Sequence, residues 1–121
     1  MSGVSKLFHQ GKEVLYFDYR ACKSDEEMIA VLKEAQATVI RENKPHLQLI
    51  DLRGVSATRA YMDEVKKAAR ETPKLATKRA VLGIDSVARR ILLRAYALVL
   101  GGAGVIPFDT EQEALDWLVK D

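Results

Sequence analysis

The stretch SDEEMIAVLKEAQATVIRENKPHLQLIDL, residues 24–52, determines the fold class. Ser24 and Glu27 have the spacing of a capping box, in which the serine oxygen and the glutamate carboxylate satisfy the first helical amides. Apolar residues then recur at steps of four, three and four, which predicts a helix with one apolar stripe that ends before Pro45. The run 47–52 predicts a largely buried strand. The stretch therefore predicts one helix followed by one interior strand.

The same alternation of strands and helices continues on both sides of this stretch. The predicted elements are a strand at 14–17 with a hairpin partner at 4–8, a second helix that begins at Ser56 or Thr58, a strand at 79–84, a third helix that begins at Asp85 or Ser86, a strand at 105–108 and a fourth helix capped by Thr110. The order is β-β-α-β-α-β-α-β-α. Such alternation favours a mostly parallel sheet with right-handed crossovers, and the hairpin adds an antiparallel edge. The sequence predicts an α/β fold.

Length and composition predict one domain over residues 1–121. A chain of this length lies in the usual size range of a single domain, and its 48% hydrophobic and 30% charged residues are typical of a globular protein. Cys22 is the single cysteine, which excludes an intramolecular disulfide and fits a reducing compartment. The start of the chain lacks the apolar core of a signal peptide, and the apolar run 91–106 is too short to span a bilayer. We expect a cytoplasmic protein with no membrane span.

Four stretches, in this order and spacing, carry a resemblance to a known family. They are VLYFDY at 14–19, LIDL at 49–52, AVLGI at 80–84 and the tail FDTEQEALDWL at 108–118. Together they resemble the STAS fold, the domain shared by sulfate transporters and anti-sigma-factor antagonists. More narrowly, the chain is similar to the small bacterial STAS-like proteins that are grouped with the CRAL-TRIO type. The resemblance spans nearly the whole chain and implies a regulatory or interaction module.

The resemblance also implies a candidate phosphoacceptor. In the antagonist branch of the family, a partner kinase phosphorylates a serine at the start of the second helix, after a strand that ends in aspartate. Here Asp51 ends the strand, but the loop at 52–58 lacks the usual Asp-Ser-Ser-Gly signature. Ser56 is the nearest candidate by position and Thr58 the second. For both residues a plain helix cap is the favoured interpretation.

A ligand site is expected where such sheets usually bind their ligands, beyond the carboxyl ends of the strands. That edge collects Asp51, Ser56, Asp85 and Ser86, whose hydroxyls and helical amides suit an anion. The run 83–86 lacks the glycine pattern of a phosphate-binding loop, so ordinary capping is favoured there. A carrier or sensor of a small apolar or anionic ligand remains an alternative.

The predicted third helix is a candidate interface because it is apolar nearly all round. Leu93 and Tyr96 add apolar surface outside its main stripe, and Arg90 and Arg94 share one face. Two interpretations stay open: a packed helix with arginines in solvent, or a surface for a homodimer or protein partner. A third, an apolar ligand beneath the helix, follows from the CRAL-TRIO comparison.

Catalytic, metal and nucleic-acid sites have almost no support in the sequence. His9 and His46 do not have a metal-ligand spacing, and no motif pairs Cys22 with a base. Asp18 and Asp51 end neighbouring strands and could form a carboxylate pair, but strand-end aspartates are usually turn formers. A net charge of +2 and a basic run at 66–79 without aromatic residues favour a solvated helix end over a nucleic-acid site.

The sequence therefore predicts a non-catalytic, STAS-like regulatory or interaction module without cofactor or metal. It would act through a protein partner or as a homodimer. The alternatives are a small-ligand carrier or sensor at the strand ends and a phosphoswitch at Ser56.

Overall fold

The computed structural model describes residues 3–86, 89–90 and 105–121. Within these residues lie five strands and three helices: β1 Val4–His9, β2 Lys12–Asp18, α1 Asp25–Glu42, β3 His46–Asp51, α2 Arg59–Glu71, β4 Ala76–Leu82, β5 Ile106–Phe108 and α3 Glu111–Val119. Most of the predicted third helix, including Leu93, Arg94 and Tyr96, lies outside the described residues. The other predicted elements are all present in the predicted order.

The strands form one mixed sheet in the order β1-β2-β3-β4-β5. The β1–β2 hairpin is antiparallel and closes through the two-residue turn Gln10-Gly11, whereas the other three pairs are parallel. This arrangement confirms the predicted α/β class with its antiparallel edge. The register of β2 on β3 sets Asp18 directly beside Asp51, so the carboxyl ends of these two strands coincide.

The bounds of β4 differ from the prediction of 79–84. The strand begins at Ala76 and ends at Leu82. It ends there because Gly83 has a φ of +96°, in the left-handed region where a strand cannot continue. The early start adds Ala76 and Lys78 to the ladder with β3, across an irregularity between His46 and Leu47.

Helix caps fix the starts and ends of α1 and α2. The Ser24 hydroxyl accepts a hydrogen bond from the Glu27 amide at 3.2 Å, as the capping box predicts. Asn43 is left-handed at the other end of α1 and donates its amide to the Val39 carbonyl, before the predicted stop at Pro45. Of the two predicted caps of α2, Ser56 and Thr58, the structure has Thr58, whose hydroxyl accepts a hydrogen bond from the Tyr61 amide.

Two apolar cores lie on opposite faces of the sheet. One lies against α1 and α2 and includes Leu15 and Phe17 of β2. The other lies against α3 and includes Val14 and Tyr16 of the same strand, as the alternation of side chains along a strand requires. In the part of the chain that the structure describes, none of the helices could span a membrane.

The C-terminal helix α3 packs against the sheet. Thr110 caps it by accepting from the Glu113 amide at 3.2 Å. Its Leu118 is 1% exposed in the second core, and the rings of Trp117 and Phe108 lie 5.4 Å apart. Lys78 of β4 lies over the Trp117 ring and donates to its carbonyl, which fastens the helix to the sheet.

Candidate functional site at the strand carboxyl ends

Two aspartate–arginine clamps of the same geometry close the carboxyl ends of β2 and β3. Arg20 donates its backbone amide and Nε to Asp18 Oδ1 at 3.0 and 2.9 Å, and its Nη2 to Oδ2 at 3.0 Å. Arg53 makes the same three bonds to Asp51, at 3.1, 2.9 and 2.6 Å. The amide bond is typical of an aspartate turn, and the guanidinium fork adds a bidentate ion pair. Each strand thus ends in a turn that is stabilised by the arginine two residues after the aspartate.

The two clamps meet because their strands are neighbours in register. Arg20 Nε lies 3.4 Å from Asp51 Oδ2, so the first arginine also contacts the second aspartate. The Tyr16 hydroxyl donates to Asp51 Oδ2 at 2.6 Å, and Asp51 is fully buried. Arg53 Nη2 lies 3.3 Å from Glu111 Oε1 at the start of α3. We call this set the strand-end cluster: Tyr16, Asp18, Arg20, Asp51, Arg53 and Glu111.

The charge states in the strand-end cluster follow from these bonds. Burial alone would raise the pKa of Asp51, but hydrogen bonds from Arg53 and Tyr16 outweigh burial and lower it. The hydrogen bonds from Arg20 lower the pKa of Asp18. Burial and the neighbouring Asp51 raise the pKa of Tyr16. At neutral pH both aspartates are therefore ionised and the tyrosine is protonated, a poor arrangement for a general acid or base.

Of the two candidate phosphoacceptors, Ser56 is exposed and Thr58 is engaged. Ser56 lies in the loop between β3 and α2, outside the helix. Thr58 donates its hydroxyl to Asp25 Oδ1 at 2.6 Å and accepts from the Tyr61 amide at 3.3 Å. Thr58 therefore joins the start of α2 to the start of α1.

Asp85 and Ser86 follow β4 and are both exposed. The Ser86 hydroxyl accepts from the Arg89 amide at 3.2 Å, which confirms the capping interpretation for this serine. Arg89 also donates to the Gly83 carbonyl at 2.8 Å and lies 3.7 Å from Asp85. These groups bond among themselves, while Asp51 belongs to the strand-end cluster.

The predicted interface is described only at its start. Arg90 is exposed, and its amide donates to the Ser86 carbonyl at 3.0 Å, as in the first turn of a helix. Leu93, Arg94 and Tyr96 lie outside the described residues.

A separate cavity lies on the other face of the sheet, between α1, α2 and the strands. Its volume is about 120 Å³. Gln48 and Arg79 line it and are each 8% exposed. The expectation that the whole basic run is solvated is therefore wrong at Arg79, because alternation along β4 turns this side chain toward the helices. We call this space the helix-face cavity.

Metal and thiol chemistry find little support in the part of the chain that the structure describes. There, no group of three or more His, Cys, Asp or Glu residues is placed to hold a metal ion. Cys22 is half-buried, and burial raises the pKa of its thiol, which reduces the reactive thiolate.

The fold of this chain is similar to that of a solved structure. No family model matches the sequence, and no curated protein matches it. A solved structure, an uncharacterized protein from the DUF3478 family with a SpoIIAA-like fold from Shewanella loihica, superposes with a TM-score of 0.65. The match covers 95% of this chain and 91% of that one at 20% sequence identity. This chain has a SpoIIAA-like fold. The STAS-like resemblance is thereby confirmed at the level of the fold.

Within this SpoIIAA-like fold, the two aspartates of the strand-end cluster were predicted from the sequence, and their partners Tyr16, Arg20 and Arg53 were not. A signal for the arginines is present, because the pattern Asp-x-Arg occurs at 18–20 and again at 51–53, each time at the end of a predicted strand.

Proposed function

We propose that this chain is a non-catalytic interaction module that acts on a protein partner or on a second copy of itself. The observation that carries the proposal is that every side chain of the strand-end cluster is bonded to another member of the cluster. In open α/β sheets this edge usually carries the ligand or the chemistry. Here Asp18 and Asp51 are each bound by their own arginine, and Tyr16 keeps its proton. Such groups stabilise the edge and are not available to a substrate.

The proposed contact surface is the segment that begins at Arg90 and includes Leu93, Arg94 and Tyr96. Arginine and tyrosine are enriched at protein interfaces, and Arg90 is exposed where the segment starts. The STAS-like resemblance implies the same class of function, since anti-sigma-factor antagonists act through protein contacts.

Sedimentation of matched charge variants tests self-association. Arg90→Glu and Leu93→Glu should lower the association constant, because each adds a negative charge to the proposed surface. Arg70→Glu makes the same charge change as Arg90→Glu, at an exposed position of α2, and should behave as the wild type. A monomer mass for the wild type at every concentration would exclude the homodimer. In that case, retention of proteins from a native extract tests for a partner. A protein that binds the wild type and Arg70→Glu but not Arg90→Glu would support a partner at this surface. Equal retention by all three would contradict the proposed surface.

A phosphoswitch at Ser56 is a second candidate, supported by the exposure of this serine. Thr58 is a poorer acceptor, because its hydroxyl is bonded to Asp25 and a phosphate there would meet a carboxylate. We expect phosphate on Ser56 after expression in the native host, and altered partner retention with Ser56→Asp but not with Ser56→Ala. An unmodified Ser56 together with unchanged retention would reject the switch.

The small-ligand alternative has less support at the strand ends. A ligand that reached Asp51 would have to displace Arg53 and Tyr16 from a fully buried carboxylate. Asp85 and Ser86 are exposed but belong to a helix start. The helix-face cavity offers better support for a ligand.

A further inference from the structure

The helix-face cavity exists because small side chains occupy positions where α1 and α2 meet the sheet. Ala35 of α1 and Ala68 and Ala69 of α2 line it, and none of the three is more than 9% exposed. Packed interiors rarely leave such space, since a void forfeits contacts for every atom around it. Further apolar lining comes from both helices and from the strands beneath, and includes Phe17, Leu32, Val39, Ile50, Tyr61 and Val65.

The charge of the cavity is positive. Gln48 and Arg79 are direct neighbours in the register of β3 and β4, and both face the cavity. Lys74 lines it as well and donates to the Ala69 carbonyl at the end of α2. Among the described residues that line the cavity, none is acidic. Arg79 is largely buried in this wall, and burial lowers the pKa of its guanidinium. The described lining, positive and without an acidic residue, favours an anion over a cation.

The volume limits the size of the apolar body. An engineered apolar cavity of about 150 Å³ in another protein binds benzene. The helix-face cavity, at about 120 Å³, matches one ring or a short branched chain and is too small for a long acyl chain. Its part-open form leaves room for a polar head beside the buried body.

We propose that the helix-face cavity binds a small carboxylate with a compact apolar body, such as a single aromatic ring. The ring lies between α1 and α2 against the alanines, and the carboxylate accepts hydrogen bonds from the guanidinium of Arg79. The Gln48 amide, beside Arg79, provides a further polar contact. This site lies on the sheet face opposite the strand-end cluster and does not depend on the interaction-module proposal.

Benzoate is the probe, and benzyl alcohol, of nearly the same shape without the charge, is its control. In a two-dimensional NMR titration, benzoate should shift the amide signals of Ala35, Gln48 and Ala69. Benzyl alcohol should bind about tenfold or more weakly, because it lacks the charge-assisted bond. Arg79→Met should weaken benzoate by a similar factor, while Arg70→Met, at an exposed position, should leave it unchanged. Equal binding of benzoate and benzyl alcohol would overturn the carboxylate assignment.

A pair of alanine variants keeps the test decisive if Arg79→Met does not fold. Ala69→Leu fills the cavity and should abolish the benzoate shifts, whereas Ala37→Leu, exposed on α1, should preserve them. Wild-type affinity in Ala69→Leu, or no shift near the cavity at saturating benzoate, would reject the site. Tighter binding of dodecanoate than of benzoate would reject the proposed ligand size.

Discussion

At the scale of single residues, the strand-end cluster contains two ion pairs of nearly the same geometry, Asp18–Arg20 and Asp51–Arg53. Asp51 and Asp18 make the same three bonds to an arginine, but the Asp51 side chain is fully buried and that of Asp18 is 30% exposed. Removing one partner of a buried pair leaves a charge without compensation, whereas an exposed pair contributes little.

We expect Asp51→Asn to lower the free energy of unfolding by about 2–3 kcal/mol, because Arg53 and Tyr16 lose a charged acceptor. Asp18→Asn should cost about 1 kcal/mol or less. Urea unfolding followed by circular dichroism measures both values. Equal losses for the two variants would contradict the role assigned to burial.

The same cluster shows what the sequence could predict at the residue scale. Buried apolar runs that end in aspartate locate the carboxyl edge, so Asp18 and Asp51 could be found. The pairing of each aspartate with the arginine two positions later depends on a turn conformation that no periodicity encodes. Arg79 was misplaced because the whole basic run was interpreted as one helix end, while its own position on β4 faces the helices.

At the scale of elements, the exit of β4 depends on the close approach of two backbones. A Cβ on Gly83 would lie 2.5 Å from the Leu52 carbonyl carbon, and the φ of Gly83 is +96°. Gly54 has a similar φ of +77° but nothing within 4 Å of a Cβ, which makes it a control for strain without a clash.

Gly83→Ala should therefore destabilise the chain by about 3 kcal/mol or more, and Gly54→Ala by about 1–2 kcal/mol, the usual cost of a left-handed alanine. Thermal unfolding of the two variants side by side gives the difference. If Gly83→Ala were no worse than Gly54→Ala, the contact with Leu52 would not be limiting.

The start of α2 is a second prediction at this scale. Thr58→Ala removes the cap and the bond to Asp25, so it should cost about 1–2 kcal/mol. Ser56→Ala, two residues before the cap, should change the stability by about 0.5 kcal/mol or less. Denaturant unfolding distinguishes them, and a larger loss for Ser56→Ala would reverse the assignment. The sequence alone could not choose between the two caps, because the choice depends on Asp25 in another helix.

At the scale of the whole molecule, the order of elements was largely predictable, because each strand and helix carries its own periodicity and caps. The helix-face cavity was not. It depends on how closely α1 and α2 approach over the sheet, and alanines on a buried helical stripe are equally compatible with tight packing.

The pKa shifts of the buried groups predict how the free energy of unfolding depends on pH. His46 Nε2 lies 2.7 Å from Gln48 Nε2, and its Nδ1 lies 3.1 Å from the Lys44 carbonyl, a pattern that suits the neutral ring. Burial lowers the pKa of His46, and the charge of Arg79 adds to this. The unfolded chain therefore binds a proton near the ordinary histidine pKa of about 6.5, which the folded chain resists.

A folded pKa below the unfolded value gives stability that is complete above pH about 6.5 and declines as the pH falls through the folded pKa. The lowered pKa values of Asp18 and Asp51 place a second decline below pH about 4. We expect the free energy of unfolding to fall in two stages, and His46→Gln to remove the first. His9→Gln should keep both stages, because His46 is intact. Urea unfolding across this pH range measures the profile, and a first stage that survives in His46→Gln would show that the acid response begins elsewhere.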